Sequence, residues 1–167
     1  MSSYTLRSIV LMGATVTMGL VTGAFALYAH TVMPGLKTTD NRTFVGAFQA
    51  LDRAIINPWF MLGGFVGALG FTIAAVATNL HRDVLPWIIV ALVLYLVAFI
   101  ITMAVNVPLN DALKAAGDPD RIKDLAHVRE QFHEARWVAW NLVRTVVSLG
   151  AFVSLAWALV EHGRAAG

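Results

Sequence analysis

A chain of 167 residues that is 58% hydrophobic and only 13% charged has a single-domain length and about half the charged share of a soluble domain. Its formal charge of +2 comes from basic residues scattered among acids, which excludes a nucleic-acid-binding stripe. The absence of cysteine excludes disulfides, thiolate catalysis and thiolate metal centres.

Four apolar runs, Leu6–Val32, Pro58–Thr78, Val84–Val105 and Trp137–Leu159, are each long enough to cross a ~30 Å hydrocarbon core at ~1.5 Å per residue. With a mean hydropathy of +0.70, they predict an all-α integral membrane four-helix bundle. The expected protein is one domain over residues 1–167, multi-pass in the cell membrane, with the lipid bilayer as its first partner. The first run is too long for a signal-peptide core, although Ala24-Phe25-Ala26 imitates a cleavage site, and it is read as a retained helix. Gly19 and Gly23 in the first run, and Gly63 and Gly67 in the second, stand four residues apart. In lipid that spacing lets helix backbones approach closely.

Met33-Pro34-Gly35 reads as a helix stop. Beyond a short polar link, Thr43–Asn57 is predicted to form an amphipathic helix against the bundle, kinked into the second span at Pro58. Its apolar stripe is Phe44, Phe48, Leu51, Ile55 and Trp59, with Gln49, Asp52 and Arg53 opposite. His81-Arg82-Asp83 is a short solvated turn. The third run leads into Asn106-Val107-Pro108-Leu109-Asn110, where Pro108 is expected to break the helix. After the Gly117-Asp118-Pro119-Asp120 turn, Asp120 is expected to cap a helical extension that runs through Trp137 into the fourth span. Four crossings put both termini on one side and both long connections on the other. Basic residues concentrate on the long connections, favouring their cytoplasmic placement, yet acids accompany them and the orientation stays open.

Polar side chains inside such a bundle are costly and mark candidate sites. Arg144 lies two turns into the fourth run and must face inward. The expected acceptors are the Asn106–Asn110 end of the third run, where a break at Pro108 would free carbonyls. Trp137, Trp140, Asn141, Arg144 and Ser148 recur at helical spacing on one face. One reading is a structural clasp made by Arg144, Asn106, Asn110 and Asn141. The other is a half-buried polar cup, walled by Trp59, Trp137 and Trp140 with Gln49 beside it, that holds a flat lipophilic aromatic molecule. His30 stands at the same depth, and because a histidine side chain can exchange a proton under physiological conditions it is the first candidate base; the plainer reading is an interfacial histidine. His127, Glu130, His133 and Glu134 match no ligand spacing, so a solvated face and no bound metal are expected there.

Five blocks carry a family resemblance: Val32-Met33-Pro34-Gly35-Leu36, Phe48-Gln49-Ala50-Leu51-Asp52-Arg53, Asn57-Pro58-Trp59-Phe60, Asn106-Val107-Pro108-Leu109-Asn110, and Arg136-Trp137-Val138-Ala139-Trp140-Asn141-Leu142-Val143-Arg144-Thr145. In this order, over nearly the whole chain, the sequence resembles the anthrone-oxygenase-like family of small four-helix membrane proteins. Asp52 stands where the family pattern usually has Asn. The resemblance implies, for named members, oxidation of polyketide anthrones to anthraquinones by molecular oxygen. Such chemistry needs a base, donors for an enolate oxygen and a flat apolar slot, without strictly requiring a metal or other cofactor. His30 or Asp52 would be the base. Arg144 with Asn106, Asn110 or Asn141 would hold the oxyanion, and the tryptophans would sandwich the rings. The expectation is therefore a membrane oxidoreductase or monooxygenase acting on an anthrone- or quinol-like molecule. The alternative is a non-catalytic small-molecule binder or an accessory subunit of a larger membrane complex, and homo-oligomerisation stays open. A transporter ranks third, because the chain lacks an internal repeat.

Overall fold

The computed structural model describes residues 2–165, and among them all regular structure is helical. The five helices are α1 (Ser3–Lys37), α2 (Asn41–Ile55), α3 (Pro58–Thr78), α4 (Leu85–Ala115) and α5 (Leu125–Arg164). All except α2 are long and apolar enough to cross a membrane. They form a closed ring in which α5 packs on α1 and α4, while α3 packs on α1 and α4 from the other side. Leu11, Met18, Val21, Ile88, Tyr95 and Leu155 fill the centre of the ring. A second cluster of Met33, Phe44, Phe48, Leu113, Phe132 and Trp137 closes one end, beneath α2.

Three of the spanning helices contain one widened turn: Tyr28–Val32 in α1, Met61–Phe65 in α3 and Thr102–Asn106 in α4. There the amides of Met33, Val66 and Val107 reach back five residues, to the carbonyls of Tyr28, Met61 and Thr102. In α1 and α4 the reaching residue is followed at once by Pro34 and Pro108. A proline ring clashes with the carbonyl four residues before it, and one extra residue in the turn relieves that clash. The prolines expected to end these helices are therefore carried inside them, and α1 continues to Lys37 and α4 to Ala115.

The turn in α3 depends on glycine instead. A Cβ on Gly67 would stand 1.9 Å from the carbonyl oxygen of Leu62, well inside contact distance. Of the expected small-residue pairs, Gly19 also meets a neighbour closely, with its added Cβ 3.0 Å from Phe152, whereas Gly23 and Gly63 face open space. The close atom at Gly67 belongs to α3 itself and that at Gly19 to an α5 side chain, so neither contact is the approach of two helix backbones expected from the spacing.

Asp40 starts α2 by accepting from the amides of Arg42 and Thr43, each at 3.0 Å, and from the Thr43 hydroxyl at 2.7 Å. The hydroxyl bond, then the Thr43 amide, hold the Asp40 carboxyl below the usual carboxylate range. The helix does not span, as its composition predicts. Its orientation, however, differs from the expected one: Phe44, Val45, Phe48, Gln49 and Asp52 form the buried face, and Leu51 is exposed. Gln49 and Asp52 turn inward because hydrogen-bond partners wait there. Gln49 donates to the carbonyls of Leu113 and Gly117 at 2.9 and 3.0 Å, tying α2 to the end of α4.

Asp120 does not cap α5. It pairs with Arg42, and Asp124 accepts the His127 amide at the start of the helix. The extension is also bent: His133 adopts φ 51 and interrupts α5, which seats Phe132 4.7 Å from the Phe48 ring. Arg129 locks the α1–α2 link by donating to the carbonyls of Thr39 and Lys37 and to Glu134, with its guanidinium 4.1 Å over Phe44. Among the described residues, no three His, Asp or Glu side chains converge in a metal-binding geometry.

The two α3 glycines separate these effects. Gly67→Ala must displace the Leu62 carbonyl and should lower the melting temperature in detergent by several degrees, or abolish folding, with a loss on the order of 1–3 kcal/mol. Gly63→Ala should leave it within a degree or two or raise it, and thermal melts of both variants decide the point.

Candidate functional site

The inward face of α5 is set by spacings of four, three and four: Trp137, Asn141, Arg144 and Ser148 are all buried. Arg144 is only 6% exposed, at a depth where an unpaired charge costs at least a few kcal/mol. Its Nε donates to Asn141 Oδ1 at 3.0 Å and its Nη1 to Thr102 Oγ1 at 3.2 Å. Two rings flank the guanidinium, Phe25 at 4.2 Å and Trp137 at 5.3 Å, adding cation–π attraction in a desolvated setting. Asn141 in turn donates to the Phe25 carbonyl at 3.2 Å. Arg144 therefore faces inward as expected, but its partners are Asn141 and Thr102. With α4 continuous through Pro108, the expected break and its free carbonyls do not exist.

The two asparagines of α4 do other work. Asn106 is buried and donates to the Trp137 carbonyl at 3.3 Å. Asn110 accepts the Trp137 indole N–H at 2.7 Å and donates to Asp52 Oδ1 at 2.6 Å. The other Asp52 oxygen lies 2.7 Å from Lys114 Nζ, which also reaches Asp111 at 3.0 Å. This pairing offsets a carboxylate charge that would otherwise be costly to bury. One polar chain thus runs from Trp137 through Asn110 and Asp52 to Lys114, joining α5, α4 and α2.

Between Arg144 and this chain lies a cavity of about 230 Å³, lined by Asp52, Asn110, Lys114, Trp137 and Arg144 and walled by aromatic and aliphatic side chains. Phe25, Phe48, Phe60 and Phe65 contribute flat apolar surface, and the widened turns contribute Tyr28, Met61, Thr102 and Met103. Ile56 and Met103, at its edge, are 60% and 51% exposed. They lie where α3 leaves α2 and faces α4, so the cavity opens sideways onto the apolar flank of the bundle.

Of the residues expected at the site, Asp52, Asn110, Trp137 and Arg144 line this cavity. Asn106 and Asn141 are buried behind it as a clasp, so elements of both sequence readings coexist. Gln49 ties α2 to α4 and does not line the cavity. His30 is exposed, with Nδ1 2.6 Å from the Thr31 hydroxyl, and is not in the lining. Trp59 is 79% exposed and Trp140 38% exposed, both on the outside. Trp140 stands one residue before Asn141, and a helix turns about 100° per residue. Trp59 sits in the first turn of α3, where tryptophans favour the membrane interface. Sequence reasoning missed Tyr28, Thr102 and Lys114. Lys114 was detectable, because it follows Asn106 and Asn110 at four-residue spacing. Tyr28 and Thr102 carry no such signal.

The anthrone oxygenase family model matches residues 48–154 of the chain. The chain belongs to the anthrone oxygenase family. The anthrone oxygenase match takes in Asp52, Asn110, Trp137 and Arg144 and leaves α1, with Tyr28, outside it. No curated protein and no solved structure matches the chain.

Arg144→Leu leaves Asn141 Oδ1 without its donor and removes both ring contacts. The variant should lose on the order of 1–3 kcal/mol, measured as a lower melting temperature in detergent. An unchanged melt would mean that the clasp does not hold the bundle.

Proposed function

We propose that this membrane protein is a cell-membrane oxygenase that oxidises a flat, lipophilic anthrone- or quinol-like molecule with dioxygen. The reading is carried by one observation: a buried carboxylate, Asp52, and a buried guanidinium, Arg144, line the same apolar-walled cavity. An anthrone carries an acidic methylene across the ring from a ketone, so a base and an oxyanion donor on opposite sides of a flat slot suit it.

Asp52 takes a methylene proton, and the electron pair moves through the ring onto the ketone oxygen. Arg144 stabilises the enolate so formed, in a cavity where low dielectric strengthens the interaction. Asn110 and Lys114 hold the carboxylate in place through the transfer. The enolate carbon then bonds to dioxygen, and the resulting peroxide takes back the proton from Asp52. Loss of water breaks the O–O bond and leaves a second ketone. The balance is anthrone plus dioxygen giving anthraquinone plus water, with one oxygen atom retained in the product. Trp137, Phe25 and Phe48 supply the ring contacts. Substrate arrives from the bilayer through the side opening near Ile56 and Met103.

Oxygen consumption with anthrone, measured on the full chain in lipid nanodiscs, tests this. Asp52→Asn should lower kcat by about 100-fold or more while still binding anthraquinone. His30→Ala, at an exposed position, should turn over as the wild type. An active Asp52→Asn variant would overturn Asp52 as the base, whereas wild-type uptake no faster than the spontaneous rate would overturn the enzyme reading and favour a non-catalytic binder.

A further inference from the structure

The inward residues of α1 include Leu11, Ala14, Met18, Val21 and Phe25, a helical stripe that Tyr28 extends by three positions. The next buried residue, Met33, comes five positions later, and the widened turn over Tyr28–Val32 keeps it on the same face. Tyr28 is thereby held at the cavity wall, its ring 5.8 Å from Trp137 and tilted by 45°.

The hydroxyl of Tyr28 makes no hydrogen bond to the described residues, and the charged groups acting on it are Asp52 and Arg144. Nor is its oxygen among the sealed polar atoms without partners, so it reaches open space. Tyr95 provides a contrast within the same bundle. It is fully buried, and its hydroxyl donates to the Phe65 carbonyl at 2.7 Å, as a polar group inside a membrane protein must. The other donors around the cavity are engaged with protein acceptors: Asn110 with Asp52, Trp137 with Asn110, and Arg144 Nε and Nη1 with Asn141 and Thr102. Beside the second amino group of Arg144, and a Lys114 ammonium already drawn to Asp52 and Asp111, the phenol of Tyr28 is a lining donor with no protein acceptor among the described residues.

We propose that Tyr28 is a catalytic residue of this cavity, its phenol donating a hydrogen bond to the ligand oxygen on which charge gathers when the bound aromatic loses its proton. The assignment rests on the functional reading above and completes it, since two donors aimed at one oxygen make an oxyanion hole. The site then recognises ring-bound ketone or enolate oxygen, and it discriminates against hydrocarbons of the same shape.

Tyr28→Phe removes the hydroxyl and keeps the ring. In nanodiscs the variant should melt with the wild type, whereas Tyr95→Phe should melt lower. Titration with anthraquinone and with anthracene should show anthraquinone binding weakened about tenfold, with anthracene binding unchanged. With anthrone, kcat should fall roughly 100-fold and KM stay within about threefold, the signature of a lost oxyanion donor. Equal weakening of both ligands, or wild-type binding and kcat together, would overturn the assignment. If the wild type binds anthraquinone but consumes no oxygen, the enzyme reading fails, and the anthraquinone-to-anthracene ratio alone then decides whether Tyr28 recognises the oxygen.

Discussion

The charge on Arg144 must be solvated by protein, because the bundle around it is flanked by lipid. That requirement reaches three of the four spanning helices. α4 contributes the Thr102 hydroxyl, α5 contributes Asn141, and α1 contributes the Phe25 ring. Asn141 is itself anchored on the Phe25 carbonyl, so the clasp holds α1, α4 and α5 in one register. The helix it leaves out is α3, and the cavity opens on that side. Stability and vacancy are therefore linked: the Arg144 clasp closes one side of the bundle, while α3 is tied on separately, through the Tyr95 hydroxyl on the Phe65 carbonyl.

The widened turns shape that vacancy. Each supplies residues to the cavity wall: Tyr28 from α1, Met61 and Phe65 from α3, Thr102 and Met103 from α4. A turn with one extra residue is poorer in hydrogen-bond geometry than a regular one, and such turns gather at functional sites. Here two are imposed by proline and one is permitted by Gly67. The extra residue changes which side chains face inward on either side of the turn. It therefore sets the lining of the cavity without breaking the membrane span.

The amphipathic helix α2 completes the site from outside the bundle. Its buried face is mixed. Phe44 and Phe48 pack on Phe132 and Trp137, while Asp52 reaches Asn110 and Lys114. Burying that carboxylate is tolerable because α4 answers it with a cation and an amide. Trp137 belongs to both halves of the arrangement, with its ring beside Arg144 and its indole N–H on Asn110. The membership in the anthrone oxygenase family and the coexistence of acid, cation and flat apolar wall are consistent with chemistry on an aromatic ketone dissolved in the bilayer.

Much of this was legible in the residues alone. Apolar runs of such length have few stable environments besides a membrane, so the four spans follow from composition and length. The cost of an unpaired charge by itself requires Arg144 to face inward, and the one-sided pattern of α2 marks it as non-spanning. The sequence blocks also carried the family. The identity of the cavity-lining residues was decided by the tertiary structure. Asp52 and Asn110 meet across 58 positions of chain, a contact that no local pattern encodes. The apolar stripe of α2 pointed to a polar face turned outward, yet partners on α4 draw Gln49 and Asp52 inward. Tyr28 replaces His30 at the cavity because a helix turns about 100° per residue, and two positions along α1 carry a side chain from the interior to the lipid face. Depth in the membrane can be read from sequence position, whereas direction around a helix depends on the neighbours and on each widened turn.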